Sequence, residues 1–389
     1  MKRKRVFMIS PFARPNLGGV ESHLDKLIEA LGRRQIEVTL LAYQPLVTDA
    51  QGSRIERFDS GIILRVPRPG RNIWPRIEHN FALTFVYLVP GLLFGAIWYW
   101  FRSREKFDVI HCHGFSAAFV GWCLRLLGIR QRIVLSTHAI YRLNRRKKLA
   151  AWLIGLLLKR MDFVLAVGDA ARLELENIGV PNNRLGVHRN WVDIEIYKAT
   201  DKKVAKANRG WSAERLHVLF VGRMLRIKGL EIVIALAEKH PDVQFHVFGA
   251  PGDMDAEVDR AADRLANFNI VPEPAETGIP RRLAVAAIYN AADLLLVPSI
   301  YEEGAATVVL EASACGTPIL SSDLGCLPEL IEQGINGWLV PPRPDSFSSK
   351  LAQIRADGPL LGDVSKTARR LAEERFSENA VEEIIHAYG

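Results

Sequence analysis

Only four of the 389 residues are cysteine, namely Cys112, Cys123, Cys315 and Cys326, and no two of them stand in C-x-x-C spacing. That scatter argues against a zinc site and a disulfide framework, and it implies a reduced, cytoplasmic setting. A secretory leader is not the expected reading of the first residues either. Met1-Lys2-Arg3-Lys4-Arg5 looks like the start of one, but the apolar run behind it is only Val6-Phe7-Met8-Ile9 before Pro11 and Arg14, which suits a first β-strand. The turn after that strand is not G-x-G-x-x-G, which disfavours a hydride-transferring nucleotide enzyme. Basic residues do not interleave with stacking aromatics on a sheet pattern, so nucleic acid is not an expected partner.

What is present is an ordinary globular composition, 49% hydrophobic and 24% charged, in a chain long enough for two domains. Short β-rich runs alternate with helical stretches at Val6–Ser10, Val38–Tyr43, Ile62–Val66, Val109–His113, Ile133–His138 and Phe163–Val167. A second series follows at His217–Val221, Val243–Phe248, Asn269–Val271, Leu294–Pro298, Pro318–Ser321 and Trp338–Val340. Such alternation calls for right-handed crossovers and parallel sheets, hence an α/β fold of two Rossmann-like domains. The lysine-rich piece Lys198–Lys203 lacks apolar periodicity and marks the hinge. The expected units are residues 1–198 and 199–372, with 373–389 a C-terminal helix packing back on the first. The cleft between the domains is the default site.

Charge divides unevenly. Residues 1–200 hold 31 Lys and Arg against 16 Asp and Glu, whereas the remainder holds 20 against 27. A strongly basic first half faces something anionic, and a membrane surface is one candidate.

Three features carry chemistry. Gly18 and Gly19 lie between the first strand and a helix, where backbone N–H groups can approach a phosphate; a plain tight turn explains them equally well. Gly222-Arg223 and Lys228-Gly229 bracket the turn after the strand His217–Val221, putting a planar fork and a point charge where a pyrophosphate could bind. Glu303 and Glu311 flank Gly304-Ala305-Ala306-Thr307 directly after the buried-strand pattern Leu294–Pro298, at a carboxyl strand end. On one continuous helix, residues eight apart differ by about 80° and about 12 Å, too far to share a metal or a proton. They suit two ends of an extended ligand.

Taken in order, Gly18-Gly19, Ser136-Thr137-His138, Gly222-Arg223, Lys228-Gly229, Pro298-Ser299, Glu303/Glu311 and Gly316-Thr317-Pro318 resemble the retaining glycosyltransferases of family 4, which have the GT-B fold. The stretch from Gly325 to Glu329 and then Gly334-Ile335-Asn336-Gly337-Trp338-Leu339-Val340 extends the likeness over almost the whole chain. The resemblance implies a nucleotide-diphosphate sugar as donor, with no cofactor and no metal. It assigns Glu311 to the ribose hydroxyls, Glu303 to the donor sugar, Arg223 and Lys228 to the diphosphate, and Gly18 and Gly19 to a loop closing over it. It places His138 beside the sugar and the reacting centre, although a strand-end histidine bonded to backbone is the plain alternative. Catalytic roles then fall to His138, Glu303, Arg223 and Lys228, and donor binding extends to Gly304, Ala305, Ala306 and Thr307.

Some positions depart from the family pattern. Asn190-Trp191-Val192-Asp193 carries an indole where the family has glycine, Ala305 and Ala306 replace larger or special residues beside the donor sugar, and 271–280 lacks the usual Gly-x-Val. Asp253-Met254-Asp255 matches the metal-binding D-x-D of the other major glycosyltransferase fold, but its place before a helical pattern suits acidic residues on a helix dipole.

Two apolar segments bear on the acceptor. Phe81 to Phe101 carries no charge and as a helix would reach about 31 Å, yet it lies between strands of one sheet, so a single membrane crossing contradicts the fold. Pro90-Gly91 is expected to break it into two helices, with Trp98, Tyr99, Trp100 and Phe101 beside Arg102 and Arg104 as an interfacial anchor. In residues 142–160, Arg142, Arg145, Arg146, Lys147 and Lys148 precede an apolar run ending in Lys159-Arg160. The expected partners are therefore a nucleotide sugar, a lipid-linked or glycan acceptor, and an anionic membrane surface on the cytoplasmic side. A soluble small-molecule acceptor and a non-catalytic GT-B-like scaffold remain as alternatives.

Overall fold

The computed structural model describes residues 3–16, 18–47, 51–70, 73–77, 80–103, 105–138, 148–273, 280–304, 306–357 and 360–389. The chain divides into two units, Met1–Arg189 with Asn379–Gly389, and Asn190–Glu378. The division falls ahead of Lys198 because Val192 and Tyr197 are buried in the apolar core of the second unit.

The first unit holds β1 (Arg5–Ile9), β2 (Glu37–Tyr43), β3 (Ile55–Phe58), β4 (Gly61–Val66), β5 (Val109–His113), β6 (Arg132–Ser136), β7 (Phe163–Ala166) and β8 (Leu185–Val187). Their order across the sheet is β3-β4-β2-β1-β5-β6-β7-β8. All pairings are parallel except β3 with β4. Buried on both faces, the central strands read as continuous apolar runs, such as Val6-Phe7-Met8-Ile9. The reversal between β1 and β5 is the switch point at which such sheets bind ligands. The C-terminal helix Val381–Ala387 belongs to this unit, where Tyr388 Oη lies 2.9 Å from His111 Nδ1 and Arg132 Nε donates to the Ala387 carbonyl at 2.7 Å.

The second unit holds β9 (His217–Val221), β10 (Gln244–Phe248), β11 (Phe268–Ile270), β12 (Leu294–Val297), β13 (Ile319–Ser322) and β14 (Gly337–Val340). The sheet runs β11-β10-β9-β12-β13-β14, the doubly wound order, with every pairing parallel. Cores lie on both faces: Phe245 and Phe347 are fully buried on one, Tyr289 and Leu310 on the other. Burying each such side chain contributes roughly 1.5–3 kcal/mol, which fixes the strand ends from which the site loops depart.

One expectation fails. Phe81–Arg102 is a single helix that continues through Pro90. The Asn80 side chain caps its start by accepting from the N–H groups of Ala82 and Leu83, each at 3.1 Å. Leu88, Leu92 and Ala96 are buried on the side facing β2 and β4, where Tyr43 Oη donates to the Leu88 carbonyl at 2.8 Å. A Cβ at Gly91 would lie 2.3 Å from that same Oη, so only glycine admits the contact. Pro90 and Val86, four residues apart, are both exposed, so the carbonyl that proline leaves without a helical donor faces solvent. Packing holds the helix together across a residue that would break it in isolation.

Candidate active site

In the second unit, the loops leaving β9 and β12 meet. Beyond β9, Arg226–Lys228 form one 3-10 turn, and the following helix, Leu230–Lys239, starts two residues past Lys228. Gly229 has φ +78°, and a Cβ there would sit 1.9 Å from the Pro298 carbonyl oxygen beyond β12. The Ile300 N–H donates to the Ile227 carbonyl at 3.0 Å, so the two loops are hydrogen-bonded where they touch.

This contact delivers Lys228 to Glu303. Lys228 Nζ donates to Glu303 Oε1 and Oε2 at 2.6 and 2.8 Å, and the Ser299 hydroxyl donates to Oε1. The Glu303 side chain is 14% exposed and that of Lys228 is 32% exposed, so the pair is partly shielded rather than solvated. Gly325, at φ +61°, packs beneath it, where a Cβ would lie 2.4 Å from the Glu303 carbonyl oxygen. The Cys326 N–H donates to that same carbonyl at 2.8 Å.

Glu311 is held separately. Helix Thr307–Ala314 begins four residues after Glu303, so the two glutamates do not share one helix and the rotation and rise of a continuous helix do not describe their separation. The Glu311 carboxylate is buried and accepts from Tyr289 Oη at 3.1 Å. Burial, and secondarily the charge of Glu311, push the Tyr289 phenol well above its ordinary pKa, so it remains a hydrogen-bond donor. Gly304 and Ala306 are buried, Thr307 opens the helix, and Ala305 lies outside the described residues. Arg223, half-buried, follows Gly222 just past β9. The structure thus brings Arg223, Lys228, Ser299, Glu303 and Glu311 to the carboxyl edge of one sheet.

Gly18, Gly19 and His138 lie in the first unit, past the carboxyl ends of β1 and β6. Gly18 has an extended φ of 176°, and Gly19 opens the helix Gly19–Arg33. A Cβ on Gly18 would fall 2.5 Å from Glu21 Oε2, so the buried Glu21 carboxylate packs against this glycine at the helix start, where the helix dipole favours it.

His138, itself partly exposed, adjoins a group of buried imidazoles. Its Nε2 lies 3.0 Å from His113 Nδ1, while His111 Nε2 lies 2.8 Å from Ser136 Oγ. The rings of His23 and His188 approach His138 at centroid distances of 5.2 and 5.9 Å. Burial, then the neighbouring His188, pushes His138 down to about 3, and burial takes His188 to about 4. His138 is therefore a neutral ring near pH 7, suited to exchanging a hydrogen bond with a hydroxyl and not to supplying a fixed positive charge. His111, His113 and His188 stand in none of the sequence motifs. The available signal was the alternation His111-Cys112-His113, which places two histidines on one face of β5 beside β6.

Asp253 and Asp255 bind the local backbone. Asp253 Oδ1 accepts from the Arg226 N–H and Asp255 Oδ1 from the Gly252 N–H, each at 2.8 Å, at the start of helix Asp255–Arg264. A trough of about 1260 Å³, lined by residues including Trp211, His217, His246 and Asn269, also opens on this unit, but none of Arg223, Lys228, Glu303 or Glu311 lines it. The carboxyl-edge cluster, rather than this hollow, is where the motif side chains converge.

Comparison with known proteins shows the family and the fold. Residues 201–371 match the family described as Glycosyl transferases group 1, and residues 17–196 match Glycosyltransferase Family 4. A D-inositol 3-phosphate glycosyltransferase of Mycobacterium bovis (strain BCG / Pasteur 1173P2) is 30% identical over 97% of this chain and 81% of its own length. Among solved structures, sucrose-phosphate synthase from Thermosynechococcus elongatus superposes with a TM-score of 0.83 at 20% identity, covering 99% of this chain and 98% of that one. Anabaena HepE in complex with UDP and glucose gives 0.76 at 20% identity, with 98% of each chain covered.

Proposed function

The chain belongs to the family 4, group 1 glycosyltransferases, and from that premise we propose that it moves a sugar, with retained anomeric configuration, from a nucleoside-diphosphate sugar to a membrane-borne glycan or lipid-linked acceptor. The observation that carries the donor half is the hydrogen-bonded set of Lys228, Glu303 and Ser299 beside Arg223 and Glu311 at the carboxyl edge of the second sheet. In this reading Glu311 takes the ribose hydroxyls, Arg223 and Lys228 take the diphosphate, and Glu303 takes the sugar. Gly18 and Gly19 close over the phosphates, and His138 meets a sugar hydroxyl.

Breaking the sugar–phosphate bond leaves an oxocarbenium-like carbon and puts more negative charge on the diphosphate. Fixed cations beside that phosphate stabilise the transition state more than the ground state. The leaving phosphate oxygen accepts the acceptor's proton on the same face, so the chemistry requires neither a nucleophile–base pair nor a metal, and full turnover in chelator is the expected result.

The membrane half, with a place on the inner face of the cell membrane, is supported by the basic first 200 residues and by the long apolar helix Phe81–Arg102 of the first unit. Residues 142–147, which supply much of the second basic segment, lie outside the described residues. A soluble phosphorylated polyol is the second reading, favoured by the name of the Mycobacterium relative. Nucleotide release from UDP-, GDP- and ADP-sugars, measured with membrane extract and separately with inositol phosphates, tests both. Turnover that requires the membrane fraction is expected. Stimulation by inositol phosphate alone would overturn the membrane-borne acceptor, and equal turnover without any acceptor would replace transfer by hydrolysis.

A further inference from the structure

Three helices of the first unit, Phe81–Arg102, Phe115–Leu126 and Lys148–Leu158, pack side by side on the β-sheet. Each follows one strand and returns to the next parallel one, which puts them on a common face and runs them antiparallel to the strands. Their inner sides are buried. Their outer sides carry large apolar groups: on the first helix Val86 is 70% and Phe94 is 72% exposed, with Trp98 and Phe101 continuing the same stripe at helical spacing. The neighbouring helices add Leu126 at 67% and Trp152 at 63%. Scattered exposed hydrophobics need no explanation, but a stripe along a 22-residue helix, continued on two adjoining helices, marks an interaction surface.

Charge identifies the occupant. Arg102, Lys159 and Arg160 are exposed at the carboxyl ends of the first and third helices, and the Arg102 guanidinium lies 5.9 Å from the Trp98 ring. Aromatic rings beside cations at the border of an apolar surface suit the headgroup boundary of an anionic bilayer. The stripe runs from near the start of the first helix to its end, so contact along its whole length requires that helix to lie flat. The plane of the sheet then lies parallel to the membrane, and its carboxyl edge opens sideways along the lipid surface.

We propose that this three-helix face is a bed on which the first unit lies flat upon an anionic lipid surface. The proposal deepens the membrane-borne acceptor reading and rests on it for its biological meaning, but it is tested without donor or acceptor. The full chain is floated with vesicles of phosphatidylglycerol and phosphatidylcholine, with phosphatidylcholine vesicles alone as comparison. Expected are binding to the anionic vesicles, at least tenfold weaker binding to the neutral ones, and loss of binding as salt shortens the Debye length. Phe94→Asp with Trp98→Asp, and separately Lys159→Glu with Arg160→Glu, each weaken binding at least tenfold; these side chains are exposed, so the thermal melt should stay unchanged. An environment-sensitive probe at Leu83→Cys and, separately, at Phe101→Cys should report lipid contact at both ends of the first helix.

No binding of the parent chain at low salt overturns the proposal, as does a probe that enters lipid at one end only. Loss of self-association in the Asp variants with vesicle binding intact would assign the face to a second copy and overturn it as well. Vesicle binding without nucleotide-sugar turnover would sink the transfer reaction and leave the bed standing, whereas turnover without vesicle binding would do the reverse.

Discussion

Lys228→Met tests the centre of the proposed donor site most directly. At the observed 2.6 Å, two unit charges in an effective dielectric near 20 attract by about 6 kcal/mol. Desolvation, side-chain entropy and the partial exposure of Lys228 reduce the net worth of the pair to about 1–3 kcal/mol. The Lys228→Met variant should lose that much stability, because it leaves Glu303 with the Ser299 hydroxyl as its remaining side-chain donor in the cluster. Glu303→Gln removes the charge but keeps an acceptor oxygen, and the double variant should be more stable than the sum of the singles by about 1–2 kcal/mol. Urea melts measure this coupling. Nucleotide release measures the second effect: if the ammonium also meets the leaving diphosphate, Lys228→Met lowers kcat by about 10²–10³. A rate within threefold of the parent, with the stability coupling present, would make the pair purely architectural. Strict additivity in the melts would refute the electrostatic argument itself.

The histidine group predicts an acid-sensitive first unit. His138 and His188 have folded pKa values pushed down to about 3 and 4, so their contribution is complete above the unfolded value near 6.5 and is lost as pH falls toward those folded values. Each should cost up to about 1.4 kcal/mol per pH unit in that window, and a urea midpoint that stays flat between pH 6.5 and 5 would contradict it. Tyr289→Phe removes the buried donor to Glu311, and a three- to tenfold rise in KM for the nucleotide sugar with little change in kcat is expected; an unchanged KM would separate Glu311 from nucleotide binding.

The parallel strands were legible because residues buried on both faces read as continuous apolar runs with turn residues at their ends. β3 escaped because Ile55-Glu56-Arg57-Phe58 is a partly exposed edge strand, and β8 because three residues carry no period. Pro90 misled for a tertiary reason: what stabilises the helix there is Tyr43, more than forty residues earlier in the chain. The site divides in the same way. Arg223, Lys228, Glu303 and Glu311 were visible from local motifs, but the Lys228–Glu303 bond joins loops 75 residues apart, and the Tyr289–Glu311 bond joins two helices. Motif order names which side chains reach a strand edge. It does not say which of them neutralise one another before a ligand arrives.

That neutralisation bears on how such a site would accelerate transfer. The family resemblance gives Lys228 to the diphosphate and Glu303 to the sugar, as if they served opposite ends of the donor, whereas the structure makes them one hydrogen-bonded unit. A lysine ammonium has three N–H groups; two facing the Glu303 oxygens leave a third for a phosphate oxygen. On the proposed assignment, the pair is nearly neutral toward an intact donor, because its two charges offset each other. As the bond breaks, negative charge grows on the phosphate beside Lys228 while positive charge grows on the sugar carbon on the side of Glu303. Both new attractions strengthen together, and neither is fully present in the ground state. On that assignment, a partly shielded ion pair set between the phosphate and the sugar would bind charge separation better than it binds substrate, which is the condition for lowering a barrier instead of merely lowering KM.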